Sequence, residues 1–262
     1  MSDPSSSLSR VRARLISHPV SGSVLSAWGW IVMGVLLVVW VALTFVVWVV
    51  TLPFDKGRYW AGHTFRRICV VYTLLNPFWS FRVTGVKITD PRRPYVVVSN
   101  HESFADMFAI CHLPWEMKWI AKDTFYKFPL IGWMMLMADD IKLVRGSKES
   151  IVRAMGAARD RLDKHVSVMV FPEGTRSRDG SLGEFKDGAF RLAIEAGVPI
   201  LPLAVAGTRE AINKGHWRFG VADAEVRVMA PIPTDGLTRD DIGALRDRTR
   251  GLIADALVDM KA

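Results

Sequence analysis

The sequence predicts an α/β protein, a mixed sheet flanked by helices, carried on an N-terminal hydrophobic helical membrane anchor. Three observations predict it. Residues 27–54 contain no charged residue. Beyond Arg82, short apolar runs alternate with longer amphipathic segments divided by turn residues, the pattern of strands and covering helices in one domain. The chain has 262 residues, half of them hydrophobic, enough for one substantial core plus an appendage. The expected organisation is a disordered basic tail over residues 1–20, an anchoring helical segment over 21–81 and an α/β domain over 82–262.

The opening MSDPSSSLS has the composition of a tail. As a helix, residues 27–54 would measure about 42 Å against a hydrocarbon layer of about 30 Å, so the segment is long enough to span with tilt. A cleaved signal peptide has an apolar region of about 7–15 residues, and no small-residue cleavage site follows this one, so a retained anchor is expected. Arg10, Arg12 and Arg14 precede the stretch, while Lys56, Arg58, Arg66 and Arg67 follow it. Basic residues on both flanks give no orientation, and a bent or re-entrant helical hairpin with both ends on the cytoplasmic face accommodates both. A second uncharged stretch, 68–81, is too short to span and reads as interfacial or as packing beside the first.

Residues 95–99 (YVVVS) read as a buried strand and 104–111 as the start of a helix. Residues 141–145 form another short strand, followed by a helix over 148–162 with Ser147 as its N-cap. Residues 166–171 (VSVMVF) are a third strand, and 185–196 a helix stopped by Gly197. Residues 198–205 and 225–229 are further strands. The last helix runs over 239–260, capped by Thr238.

A formal charge of +8 favours an anionic partner: nucleic acid, an acidic lipid surface or a phosphorylated substrate. The basic residues are scattered rather than interleaved with aromatics in a recognisable module, which argues against nucleic acid. Cys69 and Cys111, the two cysteines, have no metal-type spacing.

Chemistry concentrates in two blocks. Directly after the YVVVS strand, residues 100–106 give HxxxxD with His101 and Asp106, a weak signal alone. Residues five apart on one helix lie about 140° apart and share no face. His101 must therefore sit on the strand-to-helix turn with Asp106 in the helix's first turn. The carboxylate then reaches one imidazole nitrogen and leaves the other to accept a proton. The second block, 171–178 (FPEGTRSR), lies where the VSVMVF strand ends, an edge at which open α/β sheets place ligands. Gly174 permits close backbone approach, and Arg176 offers a planar fork for a phosphate. Glu173 either positions the loop or hydrogen-bonds a substrate hydroxyl.

With both blocks in view, the chain resembles the 1-acyl-sn-glycerol-3-phosphate acyltransferase (lysophosphatidic acid acyltransferase) family. Four ordered blocks match: N-H-x-x-x-x-D at 100–106, IKLVR ending at Arg145, FPEGTRS at 171–177 and VPILPLA at 198–204. Phe185-Lys186-Asp187-Gly188 is similar to the family's F-K-x-G. The resemblance implies a glycerolipid acyltransferase-like catalytic domain over 82–262. His101 would deprotonate the acceptor hydroxyl for attack on an acyl thioester, with Asp106 holding its tautomer. Arg176, Lys122 and Arg145 would bind the substrate phosphate, and Glu173, Gly174 and Thr175 would form the substrate-binding loop. The alternative readings are an interfacial lysine for Lys122 and a solvated strand end for Arg145. Where the family often carries an aromatic and an acidic residue before its second-block arginine, this chain has Leu143 and Val144. That departure bears on the acceptor.

The resemblance further implies lysophosphatidic acid as acceptor, acyl-CoA or acyl carrier protein as co-substrate, no metal or bound cofactor, and phosphatidic acid as product. It places the protein at the bilayer, on the cytoplasmic face of the cell (inner) membrane. Residues 125–135 line an acyl channel, dip into the membrane or pack in the core. Another lyso-lipid acceptor, or an acidic-lipid-binding protein without catalysis, is compatible with the same composition.

Overall fold

The computed structural model describes residues 18–177, 179–212 and 217–261. The expected tail lies outside the described residues except at its end, where Pro19 already begins a helix. This helix, α1 (Pro19–Thr51), contains most of the uncharged stretch without a break. The hairpin forms between α1 and a second helix, α2 (Tyr59–Leu75), rather than inside the apolar run. The stretch 68–81 is divided: α2 packs beside α1, then Asn76 and Pro77 make a turn in which Asn76 Oδ1 accepts the Phe78 N–H at 3.0 Å. A strand, β1 (Trp79–Gly85), follows. Proline has no N–H to continue a helix and restricts the residue before it, which accounts for the break.

The remaining elements are β2 (Val96–Ser99), α3 (Asp106–Ile110), β3 (Met117–Lys122), α4 (Ile131–Met137), β4 (Ile141–Leu143), α5 (Lys148–Asp163), β5 (Ser167–Val170), α6 (Gly188–Ala196), β6 (Ile200–Ala206), β7 (Ala222–Val228) and α7 (Ile242–Lys261). Ser147 caps α5 through the Ser150 N–H, Gly197 ends α6 in the left-handed region, and Thr238 makes a capping box with Asp241 before α7. The helix expected over 185–196 begins only at Gly188, because Lys186 instead donates its N–H to Pro172 O. The strands β1 and β3 and the helix α4 were not expected from the pattern.

Seven strands form one mixed sheet in the order β1-β7-β6-β2-β5-β3-β4. Five strands run parallel, and β7 pairs antiparallel with β6 and parallel with β1. Consecutive side chains point to opposite faces. Val96 and Val98 therefore enter a core with α5, α6 and α7, while Val97 enters a second core with Met169, Leu203 and the segment after α3. A third cluster joins α1 and α2 to Trp79, Phe108 and Phe219. The carboxyl ends of β2, β5, β3 and β4 all lie on one edge of the sheet.

Candidate active site

That edge gathers every site residue expected from the sequence. Asn100 prepares the departure of the chain from β2. Its side-chain Nδ2 donates to Val205 O and its Oδ1 accepts the Val205 N–H, both at 2.8 Å. The amide thus continues the ladder with β6 while the backbone turns away at His101. The loop after β5 then clamps the His101 backbone from both sides: its N–H donates to Glu173 Oε1 at 2.8 Å, and its carbonyl accepts the Ser177 N–H at 2.8 Å.

The imidazole lies face-on against Phe171, ring centroids 3.9 Å apart at 15°. Its Nδ1 is 2.7 Å from Asp106 Oδ2, with the histidine side chain 15% exposed and the carboxylate fully buried. Asp106 opens α3, off the turn that holds His101, as the five-residue spacing requires. Its Oδ2 also accepts the N–H groups of Glu102 at 2.8 Å and Ser103 at 3.0 Å. Its Oδ1 accepts the hydroxyl of Thr208, a fully buried residue just past β6. A carboxylate is acceptor-only, so Nδ1 carries the proton toward Asp106 and Nε2 is left as the acceptor.

Glu173 is buried, and both its oxygens are engaged within the protein, the second accepting the Gly183 N–H at 2.9 Å. Of its two expected roles, positioning the loop is the one this geometry supports. Burial pushes its carboxyl above the ordinary value, and the N–H groups of Gly183 and His101 pull it partly back. Gly174 has φ +72°, and a Cβ there would stand 2.8 Å from Lys186 Nζ. Thr175 and Arg176 are exposed beside it.

Lys122 ends β3 and pairs in register with Leu143 of β4, two residues before Arg145. Both cations are exposed on the shared edge, one and two strands beyond the β5 loop. Among the described residues, Arg176, Lys122, Arg145 and Lys186 make no ion pair. Direct contacts thus unite His101, Asp106 and Glu173. The basic residues share the edge, and among the described residues no side-chain hydrogen bond or ion pair links them to that group. Thr208 and Lys186 were not singled out from the sequence. A threonine after a strand carries no distinctive signal, whereas Lys186 stood within F-K-x-G. No group of three or more His, Cys, Asp or Glu side chains among the described residues is arranged to hold a metal.

The arrangement holds an imidazole by one nitrogen on the same sheet edge as four cations that make no ion pair among the described residues, suited to proton removal near an anionic group. Comparison with known proteins gives concordant matches. The family model described as Acyltransferase matches residues 80–206. The human protein "1-acyl-sn-glycerol-3-phosphate acyltransferase alpha" is 39% identical over 170 residues, covering 64% of this chain and 60% of that protein. The Brassica napus protein "1-acyl-sn-glycerol-3-phosphate acyltransferase BAT2, chloroplastic" is 33% identical over 228 residues, covering 87% of this chain and 65% of the relative. The chain thus spans less than two thirds of these relatives' length. The crystal structure of the 1-acyl-sn-glycerophosphate (LPA) acyltransferase PlsC from Thermotoga maritima has the same fold: TM-score 0.75, 24% identity, 93% of this chain and 97% of that one.

Proposed function

Because the chain belongs to the 1-acyl-sn-glycerol-3-phosphate acyltransferase family, we propose that it moves a fatty acyl group from acyl-CoA or acyl carrier protein to the sn-2 hydroxyl of 1-acyl-sn-glycerol-3-phosphate, making phosphatidic acid. The observation that carries this reading is the His101 Nδ1 contact with buried Asp106 at 2.7 Å, clamped by the loop that presents Arg176.

His101 Nε2 takes the acceptor's hydroxyl proton as the oxygen attacks the thioester carbonyl. The new C–O bond forms, the C–S bond breaks, and the imidazolium returns the proton to the departing thiolate. Asp106 keeps the reactive tautomer and stabilises the imidazolium. Arg176 binds the acceptor phosphate with Lys122 and Arg145, a planar fork and two further cations at one edge. The carbonyl's developing charge needs backbone donors. Those of Glu102 and Ser103 are taken up by Asp106, and that of Gly174 by Phe171 O. The N–H groups of Thr175 and Arg176 make no such bond among the described residues and are the donors we assign to the oxyanion. No step requires a metal or bound cofactor.

Helix α1 holds the enzyme at the bilayer containing its amphiphilic substrates. It is long and apolar enough to cross one, but near its start it is tied to the domain, where Arg218 donates to His18 O and Trp30 Nε1 to Trp217 O, and further along to α2, where Trp40 Nε1 donates to Thr64 O. That attachment favours a helix lying within one leaflet; the cytoplasmic face is the side proposed for the domain.

The test is a donor and acceptor panel on purified protein. Lysophosphatidate and other lyso-lipids are offered with acyl-CoA and with acyl carrier protein. Transfer to lysophosphatidate, lost in His101→Ala with membrane attachment intact, is expected. Transfer only to a different lyso-lipid would replace the acceptor, as Leu143 and Val144 in the second block would then explain. Undiminished transfer by His101→Ala would remove the mechanism.

A further inference from the structure

A run of aromatic rings joins the histidine turn to the protein surface. The Phe104 ring, three residues past His101, lies 6.3 Å from that of Phe125, which lies 6.3 Å from that of Phe128. Phe128 is exposed, and with it Trp133 and Leu136, at 56% and 64%. The last two are three residues apart on α4 and share its outer face. The inner face carries buried Met134 and Met135, and α4 packs against α1 and α2.

This surface is held firmly. Leu130, before α4, sits at φ +64°, a conformation that side-chain-bearing residues rarely adopt and that persists only where the surroundings impose it. Gly132 is pressed so closely on the Tyr126 carbonyl that a Cβ would stand 2.3 Å from its oxygen. On the segment leading to Phe128 and on the adjoining strand β4 and its end lie Lys122, Lys127, Lys142 and Arg145, all exposed and in no ion pair among the described residues. Large apolar side chains on a fixed, basic-rimmed surface suit the boundary between acyl chains and acidic headgroups. The exposed apolar face of α1, against which α4 packs, extends the same surface.

We infer that Phe128, Trp133 and Leu136 form a second bilayer contact continuous with α1, and that the Phe128–Phe125–Phe104 run is the lateral path by which the acceptor's acyl chain reaches His101. The contact rests on the membrane attachment proposed above, and the path also on the proposed acceptor. The lyso-lipid then moves its phosphate along the basic edge while its chain exchanges bilayer hydrocarbon for aromatic surface. It need not cross water.

Two measurements test this in the full chain bound to vesicles of phosphatidylcholine and phosphatidylglycerol. In the first, the photoreactive residue p-benzoylphenylalanine replaces Trp133, or as a control Val258 on α7, which is 69% exposed. Irradiation with a radiolabelled phospholipid should give about tenfold more lipid adduct at 133 than at 258. Equal labelling, or a protein–protein adduct in place of lipid at 133, would overturn the contact. In the second, Phe128→Ser, Trp133→Ser and Leu136→Ser are combined. Transfer to long-chain lysophosphatidate in vesicles should fall about tenfold or more, while transfer to a short-chain, water-soluble lysophosphatidate is unchanged. Equal loss on both, or no loss on either, would overturn the path. The crosslink needs no catalysis, so a protein without lysophosphatidate activity would still report whether the contact exists.

Discussion

At the scale of single residues, the histidine is the end of a chain of positioning contacts, and its outermost member is testable. Thr208 is fully buried, and its hydroxyl donates to Asp106 Oδ1. A hydrogen bond to a charged group is worth about 1.5–3 kcal/mol, so Thr208→Val should lower kcat about ten- to hundredfold. The acceptor KM should stay unchanged, the acidic limb of the pH profile should shift, and Thr208→Ser should restore both. A fall in folded protein with normal kcat per folded molecule would reduce Thr208 to a packing residue. Glu173 gives a pH dependence. Burial raises its carboxyl above the unfolded value, so the folded state binds more protons over that window. Its contribution therefore opposes folding progressively as pH rises above the ordinary carboxylate value, and levels off above the raised one. Thermal melts of Glu173→Gln, which does not titrate, should show wild type losing stability relative to the variant across that window, and a constant offset at higher pH. The residues legible in the sequence were those whose spacing demanded a geometry: the interval between His101 and Asp106 excluded a shared helix face, and the structure places them on a turn and a helix start. Thr208 was not legible, because its partner lies 102 residues away and its type fits any turn.

At the scale of elements, the strands β2, β5 and β6 were legible because their runs carry no charge, and the helices α5, α6 and α7 because Ser147, Gly197 and Thr238 mark their ends. Strand β3 was hidden by a charge. Lys118 lies in mid-strand and is fully buried, its Nζ donating to Glu116 Oε1 at 3.0 Å and to Arg58 O at 2.8 Å. Arg66 of α2 pairs with Glu116 at 3.8 Å and with Asp140, whose Oδ1 accepts the Trp119 N–H at 3.0 Å. No periodicity rule anticipates a lysine inside, since it is tolerated only with partners supplied by other elements. The network is what seats the helical hairpin on the sheet edge that ends in Lys122. Gly62 leaves the necessary room: a Cβ there would stand 1.9 Å from Glu116 Oε1. Removing one member strands the others without compensation, whereas removing a pair does not. Lys118→Met should therefore destabilise the protein by about 3–5 kcal/mol, and adding Glu116→Gln should recover much of that loss. Additive losses in the double variant, measured by thermal unfolding in detergent, would show that the two side chains do not act as a pair.

At the scale of the whole molecule, the question the sequence left open is how α1 meets the bilayer, and the charges that obscured it have separate explanations. Arg10, Arg12 and Arg14 lie outside the described residues, and Arg66, counted among the basic flank, is paired inside the protein and only 11% exposed. Counting flanking charges thus mixed a structural arginine with surface ones. The burial pattern is more informative. Gly22, Ser26, Gly29, Leu36, Thr44 and Thr51 face the protein, while Val20, Val24, Trp28, Ile31, Val35, Val38, Val46 and Val50 face outward, two stripes at helical spacing along the whole element. Near its start α1 is tied to the domain and further along to α2, which a helix crossing the bilayer alone would not show. At about 1.5 Å per residue, α1 is about 50 Å long, and its ends are tied to opposite parts of one domain: His18 O to Arg218, and the turn after Thr51 through Arg58 O to Lys118. Both ends must then face the same aqueous compartment. In a Cys69→Ser, Cys111→Ser background, His18→Cys and Lys56→Cys should both react with a membrane-impermeant maleimide from the same side of sealed vesicles, whichever side that is. Reaction from opposite sides would mean that α1 leaves the domain and crosses, and the second bilayer contact at α4 would lose the surface it is meant to extend.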